Sequence, residues 1–108
     1  MPHQVFLFEN SRGQKPVKDF IKKLDYSSKA KITRIIGLLE QYGCFLRMPY
    51  SKKLDNNIFE LRIRGKNEIR VLYSSIKNKF ILLHVFKKKT QKTPVKEILI
   101  AKQRLTQI

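Results

Sequence analysis

The sequence predicts an α+β fold: an antiparallel sheet with a helical hairpin packed on one face, and a further helix at the C-terminus. Three observations carry that expectation. Apolar residues recur at helical spacing from Val17 to Tyr42. From Ile58 to Ser74 they alternate with polar ones, and a nearly all-apolar run, Phe80–Phe86, follows. The predicted order is β-α-α-β-β-β-α, with the helices covering one face of the sheet as a two-layer packing. Residues 1–108 are expected to form a single domain.

Val5-Phe6-Leu7-Phe8 is a short apolar run closed by the turn-like Asn10-Ser11-Arg12-Gly13, and reads as the first strand. Pro16 suits the first turn of a helix, whose missing N–H would be unpaired in any case. Val17, Phe20, Ile21 and Leu24 then form an i, i+3, i+4, i+7 stripe. Ser27 or Ser28 can cap a second helix with the stripe Ile32, Ile35, Ile36, Leu39 and Tyr42, stopped at Gly43. The short break between them predicts a helical hairpin. Residues 44–57 show no period and read as a loop carrying Lys52 and Lys53.

Three strands follow. In Ile58–Arg64, Phe59, Leu61 and Ile63 alternate with Glu60, Arg62 and Arg64; in Glu68–Ser74, Ile69, Val71 and Tyr73 alternate with Arg70, Leu72 and Ser74. Phe80–Phe86 has the composition of an inner strand buried on both faces. Thr93-Pro94 opens the last helix, with Val95, Ile98, Ala101 and Leu105 expected inward. If the odd residues of the first two strands share the core, facing residues must have an even sum. Arg62 then stands opposite Arg70, with Glu60 and Arg64 on the same face.

The chain holds 24 Lys and Arg against 8 Asp and Glu, a net charge of +16. Residues 1–43 contribute eight basic and four acidic residues, a net of +4; residues 44–108 contribute sixteen and four, a net of +12. Such an excess destabilises a compact state by self-repulsion and points to a polyanion, nucleic acid before membrane surface or acidic protein. At 42% hydrophobic residues the chain is too apolar for a disordered basic tail. No run approaches the roughly 18 apolar residues of a membrane span, and Met1-Pro2-His3-Gln4-Val5 lacks the pattern of a secretory leader. Cys44 is the only cysteine, which excludes an internal disulfide and a multi-Cys zinc site. It has no chemical pattern around it and is expected to be structural.

Glu60-Leu61-Arg62 with Arg70 is the sharpest chemical signal. Two guanidiniums on a rigid sheet can fork onto a phosphate, and like charges set opposite each other otherwise repel. The same group also fits a merely solvated charged face. Glu60 reads either as a general base or as a neutraliser of Arg62. Lys87-Lys88-Lys89 closes the last strand, as a solvated end or a phosphate patch. His84 is either a proton-transfer group or a hydrogen-bonded core residue. Two isolated histidines make no metal site, and neither metal nor cofactor is expected.

The string Lys53-Leu54, Ile58-Phe59-Glu60-Leu61-Arg62, Ile69-Arg70-Val71-Leu72-Tyr73, Leu82-Leu83-His84-Val85-Phe86-Lys87-Lys88, Lys92-Thr93-Pro94, Glu97-Ile98 and Ala101 resembles the phage-derived, HigB-like branch of the RelE toxin superfamily. Gly43 and Pro49 fit the same pattern, which covers nearly the whole chain. The resemblance implies a RelE-like fold and a cytoplasmic, ribosome-dependent mRNA endoribonuclease that works without metal. It also implies neutralisation by a small helix-turn-helix antitoxin, with oligomers formed mainly with that partner. Other implied partners are the mRNA on the ribosome and ribosomal RNA. By position, Arg70 matches the family's phosphate-binding arginine and Arg62 a second basic residue. Glu60 falls where some members carry an acidic residue that serves as base, and Lys87 or Lys88 where others place Arg, Tyr or His. Lys52, Lys53, Arg64 and Lys89 are the expected RNA contacts. No catalytic Tyr or His follows residue 84, a departure that leaves the acid unassigned. The competing readings are a non-catalytic RNA- or DNA-binding module and an inactive relative that still binds antitoxin.

Overall fold

The computed structural model describes residues 3–108; the opening Met1-Pro2 of the leader argument lies outside them. Strand β1 (Gln4–Leu7) leads into α1 (Pro16–Lys22) and α2 (Tyr26–Tyr42). A short turn of 3₁₀ helix, Gly43–Phe45, precedes β2 (Ser51–Asp55), β3 (Ile58–Ile63), β4 (Ile69–Ile76), β5 (Lys79–Lys87) and α3 (Val95–Leu105). The strands form one sheet in the order β1-β5-β4-β3-β2.

Three sequence expectations are corrected. Residues 44–57 are not all loop: Ser51–Asp55 pairs antiparallel with β3 as an edge strand. Its Ser-Lys-Lys-Leu-Asp sequence carries no apolar alternation, because edge strands blunted by lysine are protected from pairing with other chains. The sheet is mixed, since β1 pairs parallel with β5 and the helical hairpin serves as the crossover between them. The helices do not share one face. α1 and α2 lie on one side and α3 on the other, so each face gathers its own apolar cluster.

The hairpin-side core carries most of the burial. Ile32, Ile35 and Leu39 of α2 bury their stripe with Leu61, Ile63, Val71, Leu82 and Val85 of the sheet. Each fully buried aliphatic side chain of this kind stabilises the fold by roughly 1.5–3 kcal/mol. Tyr42, expected on this stripe, is half exposed. Gly43 ends α2 in a positive-φ conformation (55°) that a side chain would disfavour. On the other face Ile58, Leu72, Leu83 and Phe86 pack with Ala101, flanked by Ile98 and Leu105. Val95, expected inward, is exposed because α3 begins beyond the sheet's apolar patch. Cys44 is exposed as well, so its expected structural role has no buried packing behind it.

The predicted register holds. Arg62 faces Arg70 and Ile63 faces Ile69 across β3 and β4. The β4–β5 turn has positive φ at Lys77 and Asn78, as a two-residue primed hairpin requires. Strand β5 is an inner strand, as its apolar run predicts. It carries one irregularity: Leu72 faces His84 and Tyr73 faces Leu82, leaving Leu83 without a partner. This bulge puts Leu83 and His84 on the same, α3-facing side.

Candidate functional site

The face under α3 is only half apolar. Period-two alternation puts Glu60 and Arg62 of β3 on it, with Arg70 of β4 across from Arg62 and Lys52 of β2 across from Glu60. Arg70 and Glu60 are each only 2% exposed, an unusual depth for charged side chains. One oxygen of Glu60 lies 3.8 Å from the Arg70 Nε, an ion pair too long for a hydrogen bond. Its other oxygen accepts a hydrogen bond from the Thr93 hydroxyl, in the segment that leads into α3.

Arg70 is held at its outer nitrogens. One donates to the Ile69 carbonyl at 2.9 Å and the other to Glu68 at 3.0 Å. Burial works against ionisation of Glu68, but hydrogen bonds from Arg70 and the Gly65 N–H, with the charges of Arg70 and Arg64, hold its carboxyl below the usual range. The Nε–H groups of Arg62 and Arg70 are both buried with no hydrogen-bond acceptor among the described residues. Arg62 otherwise reaches only the Met48 sulfur, at 3.5 Å. Two orphaned guanidinium donors on facing strands are rare enough to require an explanation, and an anion between them would satisfy both.

Lys88 completes the group. Its N–H donates to the Glu68 carbonyl at 2.7 Å, which carries the chain past the end of β5 and over this face. Burial, then the charges of Arg70, Arg62 and Lys52, push the Lys88 amine below its ordinary pKa, while Glu60 pulls the other way. Arg62, Arg64, Arg70, Lys88 and Lys89 line an open cleft of about 330 Å³ in which Glu68 is the one carboxylate. Thr90 and Gln91 add uncharged donors at its rim.

Not every sequence candidate reaches this place. Lys87 faces Ile69, on the hairpin side of the sheet, and is exposed. Lys53 faces Phe59 and lines an apolar hollow with Tyr73 and Phe80, away from the cleft. His84 packs under α3, bonded to Glu97 at 2.8 Å and stacked on Phe86. Arg104 points a donor at its other ring nitrogen at 3.4 Å and caps the Leu83 carbonyl at 2.8 Å. A donor there makes Nδ1 the acceptor and Nε2 the protonated nitrogen, so neutral His84 donates to Glu97. Burial first, then Arg104, keeps its pKa low against the pull of Glu97. Glu68 and Thr93 were not singled out from the sequence. Glu68 stands two residues before Arg70, so strand periodicity alone placed it on the right face. Thr93 gave no such signal, because only the docking of α3 brings it to Glu60.

These features define a class: a small, strongly basic α+β domain with two arginines facing each other across adjacent strands. Residues 19–106 match the family described as Phage derived protein Gp49-like (DUF891), and the chain belongs to that family. It is a family of RelE/HigB-like toxins associated with toxin–antitoxin pairs. No curated protein matches the chain by sequence. No helix among the described residues is long and apolar enough to cross a membrane.

Proposed function

We propose that this protein is a ribosome-dependent, metal-independent mRNA endoribonuclease of the HigB-like branch, with a RelE-like fold across residues 1–108. It acts in the cytoplasm and is held inactive by a helix-turn-helix antitoxin. The observation that carries the proposal is the pair of orphaned, facing Nε–H donors of Arg62 and Arg70 beside Glu60 and Lys88.

The reaction is attack of a ribose 2′-oxygen on the adjacent phosphorus. The bond to the 5′-oxygen breaks, leaving a 2′,3′-cyclic phosphate and a 5′-hydroxyl. Arg70 and Arg62 donate to the non-bridging oxygens, whose charge grows as the fifth bond forms. Preorganised donors of this kind supply the largest share of such catalysis, about 10²–10³-fold for each one removed. Glu60 is the base that the family resemblance implies for the 2′-hydroxyl; it lies buried behind Arg70 with its second oxygen held by Thr93, so the bound strand must open a path to it. Lys88 gives a proton to the leaving 5′-oxygen, a role its depressed pKa suits. Glu68 occupies the outer nitrogen of Arg70 until a phosphate oxygen replaces it. Lys52, Arg64 and Lys89 guide the strand. Lys87, Lys53 and His84 have no part in the chemistry.

The test is induced expression followed by primer extension on cellular mRNA. Cuts tied to translated codons, absent in an Arg70→Lys strain, are the expected result. Intact mRNA in arrested cells would overturn the activity and favour a binding module. Lysine is the better replacement because alanine at 70 would strand Glu60 as a buried, unpaired carboxylate, a change that typically costs about 3–5 kcal/mol.

A further inference from the structure

Arg62 and Arg64 also line a second hollow, of about 220 Å³, shared with Lys31 and Arg34 of α2 and with Tyr50 just before β2. Lys31 and Arg34 stand three residues apart on the helix, so their charges lie on one face and repel. None of these four cations makes an ion pair with a carboxylate among the described residues. The Lys31 amine lies over Gly65, where a side chain would collide with it, so the helix charge reaches the end of β3. Tyr50 is half-buried, and its backbone is pinned on both sides. Its N–H donates to Arg47 at 3.0 Å and its carbonyl accepts the Arg62 N–H at 2.8 Å. The result is an aromatic residue packed at the edge of the hairpin-side core among unpaired cations, beside the neighbouring cleft that Arg62 and Arg64 also line.

We infer that this hollow is a subsite for single-stranded RNA, holding the nucleotide that flanks the scissile phosphate. Tyr50 stacks on its base, while Lys31 and Arg34 take backbone phosphates and Arg62 and Arg64 bridge the two sites. The placement of the scissile phosphate rests on the proposed nuclease reading; the subsite itself needs only an RNA strand crossing Arg62. Stacking requires an unpaired base, which distinguishes a single strand from duplex RNA, where the base faces are covered.

The test is fluorescence anisotropy of the full chain with a labelled 2′-O-methyl dodecauridylate, which lacks the attacking hydroxyl and cannot be cut. Removing two phosphate contacts in a Lys31→Ala, Arg34→Ala double variant should lower the slope of log K against log salt by about 1.4. Both side chains are exposed, so the fold should persist. Tyr50→Ala should weaken binding about tenfold, and Tyr50→Phe should restore it, because stacking needs the ring and not the hydroxyl. Neither Tyr50 variant should change binding to a base-paired RNA hairpin. Wild-type slope and affinity in the double variant would overturn the subsite. So would Tyr50→Ala losses equal on hairpin and single strand, or a Tyr50→Phe variant as weak as alanine. A displacing acidic peptide that protects Lys31 and Arg34 where RNA does not would assign the hollow to a protein partner instead. Because the probe cannot be cleaved, these results stand apart from the nuclease question. Wild-type protein that binds in this way but never cuts translated mRNA would remove the nuclease reading and leave the subsite.

Discussion

Under α1 and α2 the strands present Leu61, Ile63, Val71, Leu82 and Val85 to a matching aliphatic stripe. Under α3 the same strands present Ile58, Leu72, Leu83 and Phe86, but also Glu60, Arg62 and Arg70. The first face is closed by two helices and carries apolar burial. The second is covered over part of its area by the eleven residues of α3, and charge fills the rest. Burying charge costs desolvation even where it is paired, as Arg70 is with Glu60 and Glu68, so this face is a weak source of stability. The two faces therefore differ in kind: one is closed by apolar packing, and the other carries the facing arginines with the carboxylates that neutralise Arg70.

The largest expected effect lies on the first face. Leu39→Ala should cost about 2–5 kcal/mol by leaving a cavity under α2. Urea unfolding measures it, and the fraction still folded should cleave at the normal rate. A loss of activity beyond the loss of folded protein would break the separation of the faces.

Next comes the charged face. Arg70→Lys keeps a cation beside Glu60 but loses the fork that grips two oxygens. Cleavage should fall about 10²–10³-fold while the urea midpoint moves little. A large stability loss with unchanged cleavage would make Arg70 a structural residue.

Lys88 sharpens the contrast through pH. As proton donor it must be charged, so activity falls as pH rises through its pKa. Because that pKa is lowered, the fall should begin at lower pH than for an ordinary lysine. Lys88→Arg keeps the charge but releases no proton, and should lose about 10²-fold while abolishing that alkaline limb. An unchanged limb in Lys88→Arg would assign the proton to another group.

The smallest effect concerns the seam where α3 meets the sheet. His84 has a pKa lowered in the folded state, so folding favours its neutral form. Its contribution is present above the ordinary histidine pKa, near 6.5, and is lost as pH falls below it. Denaturation midpoints at pH 7.5 and 5.5 should differ in wild type and converge in His84→Gln. Equal midpoints in wild type would show that Glu97 compensates for protonation.

Much of this was legible from the residues. Odd-numbered apolar positions on two adjacent strands forced an even pairing sum, which put Arg62 against Arg70 before any coordinates. The apolar run of β5 marked an inner strand, and the spacing of Val17 to Leu39 marked the helical hairpin. Strand β2 was hidden because a polar edge strand has no amphipathic signal. The parallel pairing of β1 was hidden because four residues carry no directional information. Thr93 read only as the opening of the last helix, since nothing local tells that its hydroxyl meets a glutamate 33 residues away.

What the sequence determined alone was periodicity: which residues form helices and strands, which share a face, and where positive charge gathers. These follow from local backbone geometry, with side chains repeating every 3.6 or 2 residues. What only the tertiary structure decided was the choice among equivalent candidates. The unpaired Leu83 in β5 shifts the register by one, so that Lys87 faces Ile69 and Lys88 crosses to the side of Arg70. Were Leu83 paired in regular alternation instead, the two lysines would exchange faces, because a one-residue slip inverts every side chain beyond it. The same docking put α3 on the charged face rather than beside α2. It left the Nε–H groups of Arg62 and Arg70 without hydrogen-bond acceptors among the described residues, since long-range packing, unlike periodicity, depends on every other element being in place.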